Sequence, residues 1–130
     1  MVELSARAQR LFEEPNILFV ATVNPDGSPQ VTPVWTELDG GRPSFNTAIG
    51  RVKERNLRRD PRVGLSVTAR DDAMNKVDIV GRVIAFVEGE EAVAQIDDLA
   101  EKYLGERPYP WLGDDRRVKL VVEPLRVYGA

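Results

Sequence analysis

Two short turn signals constrain the fold of this chain more than anything else in it. Asn24-Pro25-Asp26-Gly27-Ser28 and Asp39-Gly40-Gly41 separate three runs rich in β-forming residues: Asn16 to Val23, Gln30 to Leu38 and Pro43 to Thr47. Asn and Asp hydrogen-bond back to their own backbone and glycine supplies φ > 0, so both segments are places where a chain reverses. Connections this short exclude parallel crossovers, which need a dozen or more residues. The three runs therefore read as a meander by simple adjacency. Pro33 inside the second run cannot donate to a ladder and marks an edge or a bulge.

The rest of the chain extends this pattern. Leu4, Ala8, Leu11 and Phe12 share a helical face behind a candidate N-cap, Ser5, and Pro15 ends that helix. A basic segment after Gly50 reads as a second helix, stopping at Asp60-Pro61. Val63, Leu65 and Val67 alternate with small residues in a strand from Arg62 to Ala69, and Lys76 to Glu88 forms a long strand. Gly81 in its middle marks a bulge or a bend. Glu91 to Leu104 is the clearest helix, with Ile96, Leu99, Ala100 and Tyr103 on one face and Gly105 as its C-terminal stop. Pro108 to Gly113 is a rigid aromatic loop, and the last strand runs from about Arg117 to Val127. Hairpin connections dominate, so the fold class is mainly β (α+β): about six antiparallel strands closed into a small barrel with flanking helices. Residues 1–130 read as a single domain.

What the chain lacks limits its chemistry. It has no cysteine and no histidine. This removes disulfides, thiolate nucleophiles, Fe–S clusters, Ser-His-Asp chemistry and most zinc or haem sites. The acidic pairs Asp71-Asp72, Asp97-Asp98 and Asp114-Asp115 follow no EF-hand spacing and read as solvated loop and helix residues, so no metal site is expected. No apolar run approaches the roughly 20 residues needed to span a bilayer, and the first 14 residues lack the apolar core of a secretory signal. A cytoplasmic protein with no membrane partner is expected.

The charge distribution then points to a site. The chain has a formal net charge of −3, yet six basic residues fall within Arg51 to Arg62. They begin where a strand ends, and a helix N-terminus there presents unpaired N–H groups and the positive end of its dipole to an anion. Arg51 and Lys53 lie nearest such a ligand, Thr47 offers a hydroxyl, and Gly50 permits close backbone approach. Arg58, Arg59 and Arg62 fall at the other end of the helix, where they complement its dipole or pair with Asp60. Glu54 and Asp60 interrupt the run and no aromatic is interleaved, which argues against nucleic acid. Neither GxGxxG nor a Walker lysine motif occurs. The segment reads as a grip on the phosphate of a small cofactor.

These residues carry a family resemblance. Phe45-Asn46-Thr47, Gly50-Arg51-Val52-Lys53 and Arg55-Asn56-Leu57-Arg58-Arg59-Asp60-Pro61-Arg62 resemble the phosphate-binding element of the pyridoxamine-phosphate-oxidase-like, FMN-binding split β-barrels. Within that superfamily the run is most similar to the F420 (deazaflavin)-dependent branch, the B-type flavin/deazaflavin oxidoreductases. Lys102-Tyr103-Leu104-Gly105-Glu106-Arg107-Pro108-Tyr109-Pro110 and the ending Arg126-Val127-Tyr128-Gly129 fit as well. The resemblance implies a six-stranded antiparallel split barrel that forms a homodimer, with cofactor sites between subunits. It implies Arg51 and Lys53 on the cofactor phosphate, Thr47 and Asn56 nearby, and Pro33, Val34 and Trp35 along the tricyclic ring. Classical members of the superfamily carry further residues for the phosphate of vitamin B6; this chain has no histidine for such a site.

The function expected is an F420-dependent oxidoreductase that moves a hydride to or from a small electron-poor organic substrate. FMN in the same clamp is the alternative cofactor. A non-catalytic carrier of a flavin, deazaflavin or tetrapyrrole is a rival from another class. The sequence assigns no catalytic residue. Trp35 reads equally as core packing or as a ring neighbour. Tyr109 and Trp111 flank a substrate or, by preference, pack a dimer interface. Arg116 and Arg117 reach a ligand of the partner subunit or lie on the surface, Asp78 and Glu123 pair with Arg82 or Lys119, and Tyr128 reads as a structural hydroxyl.

Overall fold

The computed structural model describes residues 2–129. Helix α1 (Ala6–Glu13) is followed by strands β1 (Leu18–Val23), β2 (Pro29–Val34), β3 (Thr36–Asp39) and β4 (Arg42–Ala48), then α2 (Val52–Arg59), β5 (Arg62–Ala69), β6 (Asp72–Glu88), α3 (Glu90–Leu104) and β7 (Arg117–Tyr128). Ser5 caps α1 by accepting the Ala8 N–H at 3.1 Å. Gly105 ends α3 in the left-handed conformation that glycine tolerates best.

All strand pairs are antiparallel, and the sheet runs β2-β1-β5-β6-β7-β4-β3. Seven strands are present among the described residues rather than the expected six. The run Gln30 to Leu38 breaks at Trp35, and its two halves take opposite edges of the sheet. The expected meander therefore holds only as two separate hairpins, β1–β2 and β3–β4, and β4 pairs with β7 instead of the first hairpin. Because one residue joins the two edges, the sheet must curl until they meet. No ladder closes them to each other among the described residues, so the barrel stays split along this seam. Pro33 lies on the β2 edge, where its missing N–H costs no ladder bond.

Inward-facing residues fill the curl. Leu18 and Val20 of β1, Leu65 and Val67 of β5, Val77 and Ile79 of β6, and Leu120 and Val122 of β7 are buried, as is Phe45. Leu11 and Phe12 of α1 complete this core. At Gly81 the β6–β7 register shifts. A Cβ there would lie 2.6 Å from Val122 Cγ1 and 2.9 Å from the Glu123 carbonyl oxygen, so glycine lets the long strand bend against its neighbour. Gly81→Ala is expected to cost about 1–3 kcal/mol through overpacking, read as a lower denaturation midpoint at unchanged slope.

Two adjacent side chains of α3 hold the Trp35 joint. Lys102 Nζ donates to the Phe12 and Thr36 carbonyl oxygens, each at 2.5 Å, and the Tyr103 hydroxyl accepts the Thr36 N–H at 3.1 Å while donating to the Asn16 carbonyl. Burial pushes the Lys102 ammonium down to about 8, against the pull of Glu37 and Glu13. Between that value and its ordinary one, the unfolded chain binds a proton that the folded protein does not. The Lys102 contribution to stability is therefore gained as pH rises through about 8 and lost as pH falls through it. Denaturation of the parent and of Lys102→Met at about pH 7.5 and about pH 9.5 checks this, with the variant expected to show the smaller gain at high pH.

Candidate cofactor-binding cleft

The end of β4 and the start of α2 make the turn that builds the site. Gly50 takes φ +96°, and its N–H donates to Glu54 Oε1 at 2.9 Å, folding the first turn of the helix back onto the chain before it. Ile49 N–H donates to the Arg116 carbonyl at 2.7 Å, tying this turn to the start of β7. Arg51 occupies the N-cap position in an extended conformation, with no side chain capping the helix.

A cleft of about 300 Å³ opens beside this turn. Pro33, Val34 and Trp35 form one wall, Ile96 and Leu99 of α3 another, and Arg51, Lys53, Thr47, Asn46 and Arg117 the polar end. Tyr109 and Trp111 reach it from the loop between α3 and β7. The volume sits at the lower end of the range for small-molecule sites, about 300–1,000 Å³.

Its polar end is short of negative charge. Lys53 is only 8% exposed and makes no ion pair among the described residues. Burial, then the charges of Arg51 and Arg117, hold its ammonium below the ordinary lysine value. Asp115 is the carboxylate that meets these cations, at 3.9 Å from Arg51 and 3.3 Å from Arg117. Thr47 Oγ1 is buried with no hydrogen-bond partner among the described residues. Three cations, one carboxylate and an orphaned hydroxyl fit an anionic group such as a phosphate, which neutralises the cations and accepts from the hydroxyl.

Aromatic side chains line the cleft beside these cations, with the Tyr109 ring centroid 5.4 Å from the Arg117 guanidinium carbon. Trp35 stacks on Tyr103 with ring centroids 5.4 Å apart and planes 13° from parallel. Tyr109 stands edge-on to Trp35 at 6.0 Å, and Trp111 edge-on to Tyr109 at 5.8 Å. A planar ring entering the cleft meets aromatic, aliphatic and cationic side chains.

Six of the eight residues expected from sequence come together here: Arg51, Lys53, Thr47, Pro33, Val34 and Trp35. Gly50 and Asn56 do not line the cleft. Gly50 shapes the turn. Asn56 is buried behind α2, where its amide donates to Thr22 Oγ1 and Asn24 Oδ1, both at 3.0 Å. The far half of the basic segment is also committed elsewhere. Arg58 pairs with Glu54 and Glu88 and lies over the Phe86 ring, Arg59 donates to the Val23 carbonyl, and Arg62 chelates Asp60.

Of the two readings left open for Arg116 and Arg117, the structure places Arg117 in the cleft lining, together with Asn46, to which sequence reasoning assigned no role of its own. Arg117 is 6% exposed, unlike Arg116, which lies on the surface and pairs with Glu88 at 3.5 Å. Tyr109 and Trp111 stand on the cleft wall. Asp78 is partnered by Ser66 and Lys76 rather than Arg82, and Lys119 pairs with Asp39 rather than Glu123. Among the described residues, no cluster of three or more carboxylates is placed to hold a metal, and no helix is long and apolar enough to cross a membrane.

A curled antiparallel sheet, split at one seam and carrying this cleft, is the split barrel that the sequence resemblance implies. The family model for pyridoxamine 5′-phosphate oxidase matches residues 4–129, and the chain belongs to that family. Among solved structures it is similar to an F420 reductase, at 30% identity over 98% of this chain and 100% of that one, with a TM-score of 0.85. A conserved hypothetical protein from Mycobacterium tuberculosis is 26% identical over 98% of this chain and 84% of its own, with a TM-score of 0.78. A heme binding protein from Mycobacterium smegmatis, at 24% identity, 92% and 52% coverage and a TM-score of 0.60, shares the fold alone. No curated protein matches the chain. The resemblance to the superfamily, and within it to the F420-dependent branch, is borne out by the family match and the likeness to the F420 reductase.

Proposed function

We propose that this protein is an F420-dependent oxidoreductase that transfers a hydride to or from a small electron-poor organic substrate. The observation that carries the reading is the excess of buried positive charge beside an unpartnered hydroxyl, at one end of an aromatic cleft. Arg51, Lys53 and Thr47 would hold the cofactor phosphate, and Pro33, Val34 and Trp35 would face its ring. The likeness to an F420 reductase favours the deazaflavin.

Bound there, a deazaflavin supplies hydride chemistry, so the protein needs no nucleophile of its own. This suits a chain without cysteine or histidine. The residues of the cleft bind, orient and exclude water, and much of the rate acceleration then comes from alignment of the substrate against the ring.

FMN is the second reading for the cofactor, and the family match supports it. Parallel fluorescence titrations of the purified protein with F420 and FMN test the choice. A preference for F420 of about tenfold or more, about 1.4 kcal/mol, supports the proposal, and the reverse preference moves it to FMN. Binding of neither overturns both. Tight binding without turnover across a panel of enones, quinones and heteroaromatic acceptors would make the protein a carrier.

A homodimer belongs to this proposal. Phe19, Val31 and Val80 are exposed on the outer sheet face, with Val31, Ala21, Gly64 and Val80 in one cross-strand row. An apolar face of this kind fits a second copy of the chain. Light scattering at micromolar concentration is expected to give twice the 14.5 kDa chain mass; a monomer overturns the dimer.

A further inference from the structure

A buried polar chain fixes the orientation of Arg117. Its Nε donates to Asn46 Oδ1 at 2.8 Å. The Asn46 amide nitrogen donates in turn to the Ala92 carbonyl at 2.9 Å and to Gln95 Oε1 at 3.0 Å. Gln95 Nε2 donates to Ser44 Oγ at 2.7 Å, and Ser44 Oγ donates to the Leu120 carbonyl at 2.7 Å. Asn46, Gln95 and Ser44 are all buried, and Asn46 has both amide hydrogens committed. The links span β4, α3 and β7, so the arginine stem cannot swing without breaking contacts among three elements.

Only one edge of the guanidinium is used in this way. Arginine has five N–H donors in a rigid fork. One terminal nitrogen meets Asp115 at 3.3 Å, a loose contact to a carboxylate that is itself partly exposed. The Tyr109 ring, 5.4 Å from the guanidinium carbon, covers one face. The remaining donors belong to a residue that lines the cleft with Lys53 and the orphaned Thr47 hydroxyl. A buried cation with spare donors and one weak counter-charge is suited to a doubly charged or multidentate oxyanion.

We propose that Arg117 is a third anion contact of this cleft, taking the cofactor phosphate together with Lys53, and that Asn46 and Gln95 are its positioning residues. The inference rests on the phosphate reading of the cleft given above. It assigns a ligand-facing role to a residue 64 positions after Lys53 and gives that role a geometric basis in Asn46.

The test compares each cofactor with its phosphate-free core: FMN with riboflavin, and F420 with its deazariboflavin. Arg117→Gln is expected to lower FMN and F420 affinity about tenfold or more and to leave both cores unchanged. Arg117→Lys keeps the charge but not the fork and is expected to recover only part of the loss. Asn46→Ala, or Asn46→Ser if alanine fails to fold, is expected to shift the phosphate preference in the same direction and to add little in the Arg117→Gln background. A merely structural Asn46 would weaken both ligand classes alike. Equal loss for cofactor and core, or no loss, overturns the inference. Lys53→Met separates the two readings: if it alone reduces the phosphate preference, Arg117 is not an anion contact, and if neither variant does, the phosphate reading falls with it.

Discussion

Lys53→Met is expected to bind F420 or FMN about 10–150-fold more weakly than the parent, a loss of about 1.5–3 kcal/mol, and yet to resist denaturation better when no ligand is present. The opposite signs have one cause. Lys53 is buried, has no ion-pair partner among the described residues and faces two arginines, Arg51 and Arg117. It is also the second residue of α2, where a cation meets the positive end of the helix dipole. Each of these makes its charge unfavourable in the free protein. Methionine keeps the length of the side chain and removes the charge, so the packing contribution of the stem is retained. A bound phosphate reverses the balance. The parent should therefore gain more stability on adding saturating cofactor than the variant does. Equal affinity in the two proteins would refute the role of Lys53, and a lower stability of the free variant would refute the account of its cost.

Phe12→Ala is expected to destabilise the protein by about 3–5 kcal/mol, a large part of the roughly 5–15 kcal/mol that holds a domain of this size together. Phe12 is fully buried, and α1, which carries it, is only eight residues long. So short a helix has little stability of its own and forms because Leu11 and Phe12 lie in the core of the curled sheet. Its C-terminal end is secured from outside the helix, by Lys102 on the Phe12 carbonyl. Equilibrium unfolding in urea gives the value, and a loss below about 1 kcal/mol would mean that the cavity collapses without cost.

Much of this was legible because local signals and tertiary structure agree. Ser5 caps the first helix, Gly105 stops the last, Pro33 marks an edge and Gly81 a bend, each through a constraint that acts within a few residues. The break at Trp35 was not legible. No glycine or proline occupies that position, and the β pattern continues through it from Gln30 to Leu38. What interrupts the strand is the curl of the whole sheet, together with Lys102 and Tyr103 from a helix more than 60 residues away.

The cleft divides in the same way. Arg51, Lys53 and Thr47 are near one another in sequence and their charge pattern is local, so the site could be placed. Arg117 opens a strand, where an arginine normally reads as solvated, and its burial depends on Asn46, 71 residues before it. Asn56 shows the converse. It sits inside the basic segment and looks like part of the site, but Thr22 and Asn24 hold its side chain behind the helix.

The one-residue strap across the seam also limits how members of this family can diverge. Inserting a residue next to Trp35 would lengthen that strap, shift β3 by one position and exchange the faces its side chains present. The same insertion in Asn24 to Ser28, or around Gly105-Glu106 before the aromatic residues of the cleft, would enlarge an excursion away from the sheet. Length variation among relatives should therefore gather at those loops, while the spacing from Pro33 to Thr36 stays constant even where the residues themselves change.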